Sequence, residues 1–446
     1  MRWKGRIYNV IFGLVLLIGL SACIKELEIE TLGGDGAGML VVEAKFTDEL
    51  KTQTVYLSRS DSRTDLVTDT VWNPYIPLGS RPFDSVTVES GASLKLVSNT
   101  GTEYNFTEDG EGQYFSTDPF ALEMNMEYTL QIATQSGSEY VSDTIRLAGS
   151  SEISGLYAEK AISETGVEGV AIYMDSDPSE GSPEHYRYAF EETYKVVAPD
   201  WQEYDFRLTD YDPCALPVPT YNLEIVPREV ENKTCYNTVY STSIDLLSTN
   251  TTNSSKVSRK MVRFIGKDNF IISHRYSILV KQYVQSTEAN TYYGILKEFS
   301  ESESLFSGIQ PGALYANVRR ADGQEENVLG YVEATTVTEQ RLFFNYEDFF
   351  PGEELPPYAF GWYDCHPIST NETHPSYCLT GVSTGNGGCP QSIIEQVNIG
   401  LISYYGPYDE NIASIFSCEG PYLFVPRLCG DCTLLGDTVV PEFWEE

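Results

Sequence analysis

Between residues 39 and 148 the chain keeps returning to short segments in which apolar and polar residues alternate. That period of two dictates what this part can fold into. Ser93-Leu94-Lys95-Leu96-Val97 is the plainest case: every second side chain points to one face, as in a half-buried strand. Met39-Leu40-Val41-Val42-Glu43-Ala44-Lys45-Phe46, Thr54-Val55-Tyr56-Leu57-Ser58, Glu103-Tyr104-Asn105-Phe106 and Gly112-Gln113-Tyr114-Phe115 read as strands too. Glu127-Tyr128-Thr129-Leu130-Gln131-Ile132 and Ser138-Glu139-Tyr140-Val141-Ser142-Asp143-Thr144-Ile145 complete the set. About seven strands with turn signals every ~8–12 residues predict an immunoglobulin-like β-sandwich over residues 39–148. The sequence has no Cys…Trp…Cys core there, so the prediction concerns architecture and not a true immunoglobulin domain.

Residues 149–446 read as a second, larger β-rich domain, which makes the chain mainly β. Tyr186-Arg187-Tyr188-Ala189-Phe190-Glu191 alternates well, and residues 259–265 and 275–283 are the clearest strands. One helix is predicted over residues 286–300, where Tyr292, Leu296 and Phe299 recur at i, i+4 and i+7 and form an apolar stripe. Its other face is polar, so it should lie on a sheet. Gly323 marks a turn before Asn327-Val328-Leu329-Gly330-Tyr331-Val332. Residues 351–390, rich in Pro, Gly, Ser and Thr, read as one long stapled surface excursion.

The first residues read as an address. Arg2, Lys4 and Arg6 precede an apolar run over residues 10–20, too short for the ~18–20 residues that span a bilayer. Leu20-Ser21-Ala22-Cys23 then resembles the lipobox of bacterial lipoproteins, which implies cleavage after residue 22 and lipidation of Cys23. Residues 23–38 form a flexible tether ending in Gly33-Gly34-Asp35-Gly36-Ala37-Gly38. Within it, Lys25, Glu26, Glu28 and Glu30 resemble the surface-export signal of Bacteroidota lipoproteins. Residues 1–22 hold three basic groups and no acid, so cleavage leaves 26 basic and 65 acidic residues, a net charge of -39. A charge of that sign excludes nucleic acid, whose recognition needs a basic surface, and disfavours adsorption to anionic lipid. Attachment to a membrane is therefore expected through the lipid alone.

Setting Cys23 aside leaves Cys214, Cys235, Cys365, Cys378, Cys389, Cys418, Cys429 and Cys432, an even number in an exported chain. Disulfides are the default in an oxidising compartment, and sequence cannot choose their pairing. Two patterns mimic metal sites: Cys429-Gly430-Asp431-Cys432, and Cys365-His366 with His374…Cys378. A zinc ribbon shows two C-x-x-C knuckles and here there is one, so disulfides rank ahead of a metal and no cofactor is expected.

Catalytic motifs give little. Gly381-Val382-Ser383-Thr384-Gly385 matches G-x-S-x-G but sits in a Gly/Ser-rich loop, without the strand–turn–helix context a nucleophile elbow needs. Asp175-Ser176-Asp177-Pro178-Ser179-Glu180-Gly181 has calcium-like oxygen spacing, yet residue 186, where an EF-hand needs Glu, is Tyr. It reads as a solvated turn. Asp69-Thr70-Val71, Asp84-Ser85-Val86, Asp143-Thr144-Ile145 and Asp437-Thr438-Val439 match the triplet that Bacteroidota glycosylate. Among 31 tyrosines, Tyr292-Tyr293 and Tyr404-Tyr405-Gly406-Pro407-Tyr408 are candidate recognition surfaces, as is Phe343-Phe344…Phe349-Phe350, since aromatics give large contact area at low entropic cost.

The order of several short motifs carries a resemblance. These are the strand and Tyr-bearing helix after Arg275, Asn317-Val318, and Val328-Leu329-Gly330-Tyr331-Val332-Glu333-Ala334. Cys429-Gly430-Asp431-Cys432-Thr433 and Pro441-Glu442-Phe443-Trp444 follow. With the lipobox and the Gly112-Gln113-Tyr114 turn, the chain resembles a Bacteroidota outer-membrane lipoprotein family known as domain of unknown function 4249. Members of that family are often encoded beside TonB-dependent receptors. The resemblance supplies no catalytic residues. It implies a non-enzymatic accessory of a TonB-dependent receptor or other barrel protein, lipid-anchored in the outer membrane at its extracellular face. The competing reading is a surface adhesin or cell-envelope structural module.

Overall fold

The computed structural model describes residues 38–60, 87–181, 183–250, 255–301, 316–358, 365–372, 391–414 and 417–446. Cys23, Lys25, Glu26, Glu28, Glu30, His374, Cys378, Cys389, the Gly381–Gly385 motif and the triplets at Asp69 and Asp84 lie outside the described residues. The molecule is mainly β, as predicted.

The first module is built from β1 (Leu40–Thr47), β2 (Thr54–Arg59), β3 (Thr87–Val88), β4 (Ser93–Ser98), β5 (Glu103–Glu108), β6 (Gln113–Ser116), β7 (Tyr128–Ala133) and β8 (Glu139–Ser142). Alternation does what the sequence predicts: Leu40, Val42, Ala44 and Phe46 of β1, Leu94 and Leu96 of β4, and Leu130 and Ile132 of β7 meet in one core. The β5–β6 turn needs Gly112: its φ is +71°, and a Cβ there would stand 2.3 Å from the Leu57 carbonyl oxygen. The strands are hydrogen-bonded in one continuous path, β1-β2-β6-β5-β4-β7-β8, rather than in two separate sheets.

The second module is a two-layer sandwich. Its strands are β9 (Gly149–Ile162), β10 (Glu168–Gly181), β11 (His185–Val197), β14 (Thr234–Tyr240), β15 (Asp245–Ser248), β16 (Val257–Gly266) and β17 (Arg275–Gln285), while the intervening hairpin of β12 (Tyr204–Asp212) and β13 (Thr220–Pro227) belongs to neither layer. One layer is β16-β10-β9; the facing layer contains β14-β11-β17. Val170, Ile172 and Met174 of β10 pack against Tyr186 and Tyr188 of β11 and Ile278 and Val280 of β17. Helix α1 (Thr287–Glu301) follows β17 within a residue or two of the predicted span. Its inward residues differ from the predicted stripe: Ala289 is buried, while Phe299 is 40% exposed.

The chain then returns to the first module. Strand β18 (Val318–Arg320) pairs with β8, and β19 (Leu329–Asn345) pairs along residues 329–335 with β1 in parallel. The rest of β19 pairs antiparallel with β17, so this one strand runs through both modules and joins them into a single 14-stranded sheet. The parallel register sets Gly330 against Val42, where φ is +86° and a Cβ would lie 2.1 Å from the Val42 carbonyl oxygen. Asn317 closes the first module by acting as a substitute strand: its Nδ2 donates to the Val332 carbonyl (2.7 Å) and its Oδ1 accepts the Val332 N–H (2.9 Å).

A small third unit packs the β12–β13 hairpin against β20 (Ile368–Ser369), α2 (Ile393–Asn398), β21 (Ile402–Pro407) and β22 (Tyr422–Pro426), around Ile393, Ile394, Ile402 and Phe424. The four-residue helix α3 (Arg427–Gly430) follows. These two short helices were not predicted. Six residues are too few to display helical periodicity, and the signal present, the Ser392…Glu395 capping box, is local to the first turn of α2.

Candidate functional site

A cleft of about 1130 Å³ opens where the modules meet. Its walls come from Glu127 and residues 143–148 of the first module, the first turns of α1, and residues 331–334 of β19. Tyr292 of α1 stacks on Tyr331 of β19 with ring centroids 4.7 Å apart and planes 27° apart. Burial pushes both phenols up to about 12, so they remain protonated donors at neutral pH. Glu127, Glu288 and Arg146 are exposed on the walls, and Asp143 pairs with Arg319.

Below the aromatic pair lies a buried charge cluster that fixes the seam. Glu333 of β19 is 1% exposed. Its Oε1 accepts from Arg187 Nη2 (2.6 Å) and from the Tyr293 hydroxyl (3.1 Å), and its Oε2 accepts from Gln285 Nε2 (3.1 Å). The Arg187 guanidinium sits between the Tyr283 and Tyr293 rings, 4.6 and 4.5 Å from their centroids. Burial opposes its charge, but the Glu333 carboxylate outweighs that and holds the guanidinium above its ordinary pKa. Lys45, paired with Glu333 in the β1–β19 register, lays its ammonium 4.3 Å over the Tyr283 ring. Crowding of the ammonium by the surrounding strands and ring, then repulsion from Arg187, lowers it to about 8, although the residue as a whole keeps an exposed surface. Both Glu333 oxygens are hydrogen-bonded, so this carboxylate holds α1, β11, β17 and β19 together.

The cysteines pair across the fold. Cys235 of β14 bonds Cys432, and Cys365 bonds Cys429, with Cα separations of 5.6 Å in both. Cys214 and Cys418 are disulfide-bonded as well. The C-x-x-C of residues 429–432 is thus divided between two partners. Among the described residues no group of His, Cys, Asp and Glu is arranged to hold a metal ion.

Several expectations change with the structure. The Asp175–Gly181 stretch is not a solvated turn but the end of strand β10: Asp175 accepts the Arg259 N–H (2.6 Å), Asp177 pairs with Lys256 (2.8 Å), and buried Ser176 bonds Gln282. The Tyr404–Tyr408 group, a candidate recognition surface, is mostly strand β21, and Tyr404 packs edge-on against Phe206 and Tyr422. Phe344 joins the sandwich core, while Phe343 faces Trp444. Asp143-Thr144 stands exposed on the cleft wall. Of the aromatic clusters, Tyr292-Tyr293 is the one at the seam. Sequence reasoning missed Lys45, Arg187, Tyr283, Gln285 and Glu333. Each looks like an ordinary strand residue, and the one available signal is a glutamate amid the apolar residues of 328–334.

A family model described as a domain of unknown function (DUF4249) matches residues 24–341. The match takes in the first module, most of the sandwich, α1 and every member of the seam cluster. No curated protein matches the chain.

Proposed function

Given that the chain belongs to the DUF4249 family, we propose that it is a lipid-anchored outer-membrane protein. In this reading it works at the extracellular face as a non-enzymatic accessory of a TonB-dependent receptor or another barrel protein. The seam cleft carries the reading. It is of ligand-binding size, lies between two modules, and has a paired-tyrosine wall with acidic and basic groups around it. Such a wall suits a polar ligand or partner loop with one flat or apolar face. The buried cluster beneath it supports the same reading, because a site held by a locked seam keeps its shape when occupied. The location rests on the charged n-region, the apolar run and Cys23.

The test is a mild-detergent pull-down from native membranes with wild type and the pair Tyr292→Ala and Tyr331→Ala, both checked for native folding. Wild type should co-purify with a barrel protein and the double variant should lose it. Retention of the barrel by the folded double variant would remove the cleft from the interaction. Absence of any barrel with wild type would favour the adhesin or structural reading.

A further inference from the structure

The stacked tyrosines of the seam cleft are flanked by carboxylates without counter-ions. Glu288 stands one turn before Tyr292 on α1, so the two side chains share a face of the helix. Glu43 of β1 lies beside Tyr331 in the parallel β1–β19 register, so carboxylate and ring share a face of the sheet. Glu127 adds a third carboxylate from the first module. Among the described residues none of these three forms an ion pair. The other acids of the lining are matched, Asp143 with Arg319 and Glu333 with Arg187. Arg146 is the basic residue of the lining, so Glu43, Glu127 and Glu288 leave the unmatched charge negative. After burial, Glu43 raises the Tyr292 phenol and Glu288 the Tyr331 phenol, which puts each carboxylate within electrostatic reach of a ring. A neutral phenol ring carries negative potential on its face, so rings and carboxylates favour the same guest.

We propose that the seam cleft recognises an organic cation, the guanidinium of an arginine on a partner loop, which stacks on the tyrosine pair while Glu43, Glu127 and Glu288 meet its charge. The inference rests on the reading of this cleft as the partner site and adds the chemistry of what enters it. The layer just beneath shows the same recognition completed within the chain. There the Arg187 guanidinium lies 4.6 and 4.5 Å from the Tyr283 and Tyr293 ring centroids and bonds the Glu333 carboxylate at 2.6 Å. In the cleft the rings and the carboxylates are present and the cation is not supplied by the fold. Guanidinium fits better than ammonium, because it is planar, weakly hydrated and able both to stack on a ring and to bond a carboxylate in a fork. A loop of a basic partner surface is the fitting source, since a chain with 65 acidic and 29 basic residues draws such a surface toward it. An anionic guest would have to approach three unmatched carboxylates.

The test titrates the intact protein with N-acetylarginine amide, with N-acetylcitrulline amide, which has nearly the same shape and no charge, and with the peptide Gly-Gly-Arg-Gly-Gly. Binding is read by calorimetry. The arginine amide should bind saturably and at least about tenfold more tightly than the citrulline amide. The peptide should bind no more weakly than the arginine amide, and much weaker binding of the peptide would overturn the loop as source. Glu288→Gln and Tyr292→Ala, both checked for native folding, should each weaken the arginine amide by about fivefold. Glu164→Gln, an exposed acid in the β9–β10 turn, should leave binding unchanged, which separates the cleft from general attraction to an acidic chain. Equal binding of the two amides, lost with Tyr292→Ala, would overturn the cation assignment while leaving the cleft as the site. Arginine binding that neither cleft variant weakens would overturn both. Failure of wild type to bind the arginine amide up to about 50 mM would also overturn the inference. The barrel pull-down with the double tyrosine variant would then decide separately whether the cleft is the partner site.

Discussion

Glu333 and Arg187 are costly residues to strand alone. A buried carboxylate or guanidinium without its counter-ion costs several kcal/mol, whereas an apolar pair of similar shape does not. Glu333→Ala should therefore destabilise the protein by about 3–5 kcal/mol in denaturant unfolding, and Arg187→Met with Glu333→Leu should recover most of that loss. A double variant no more stable than Glu333→Ala alone would show that the pair is not the unit. Lys45 gives a pH signature. Its folded pKa of about 8 lies below its ordinary 10.5, so between those values the unfolded state holds more protons. Its contribution to stability therefore rises with pH from about 8 to 10.5 and is flat below, where both states are protonated. Lys45→Met should remove that part of the slope in unfolding midpoints measured between pH 7.5 and 9.5. Wild-type Lys45 should also be the lysine acylated fastest at pH 8, read by peptide mass spectrometry.

At the scale of elements, β19 decides how the modules are joined, and it docks on β1 only because residue 330 has no side chain. Alanine there meets the Val42 carbonyl and must adopt a positive φ. Gly323 also has a positive φ, +76°, but a Cβ there meets nothing within 4 Å. Gly330→Ala should cost more than about 2 kcal/mol and Gly323→Ala about 1 kcal/mol in urea unfolding. Equal effects would mean that close approach to β1 is not what residue 330 supplies. Asn317 plays the complementary part at the other end of the ladder, where its amide replaces a missing peptide group.

For the whole molecule, the disulfide bridges set the organisation. Cys235–Cys432 spans 197 residues and Cys365–Cys429 spans 64, so both tie the last part of the chain back onto earlier structure. Alkylation under denaturing, non-reducing conditions should leave Cys214, Cys235, Cys365, Cys418, Cys429 and Cys432 unmodified. Loss of either described bridge should cost about 2–5 kcal/mol. Among the described residues no helix is long and apolar enough to cross a membrane; the proposed attachment is through Cys23. Cys23→Ala should abolish labelling by a palmitate analogue, and equal labelling of the variant would sink the lipid anchor. If the acids after Cys23 direct surface export, protease added to intact cells should remove wild type. Replacement of Lys25, Glu26, Glu28 and Glu30 by alanine should leave the protein protected.

The sequence by itself determined the parts that depend on neighbours along the chain. Alternation marked β1, β4, β7, β16 and β17 to within a few residues, because side-chain direction in a strand is set by the peptide unit itself. The period of α1 was legible for the same reason, although its inward face was not, since Tyr293 turns toward Glu333 only where β19 supplies that carboxylate. Tertiary structure alone decided that one strand serves both modules and that Arg187 meets Glu333 across 146 residues. It also decided which cysteines pair. Those outcomes turn on which distant surfaces exclude water together. A one-residue register change would send the same side chains to the opposite face while leaving every local pattern in the sequence unaltered.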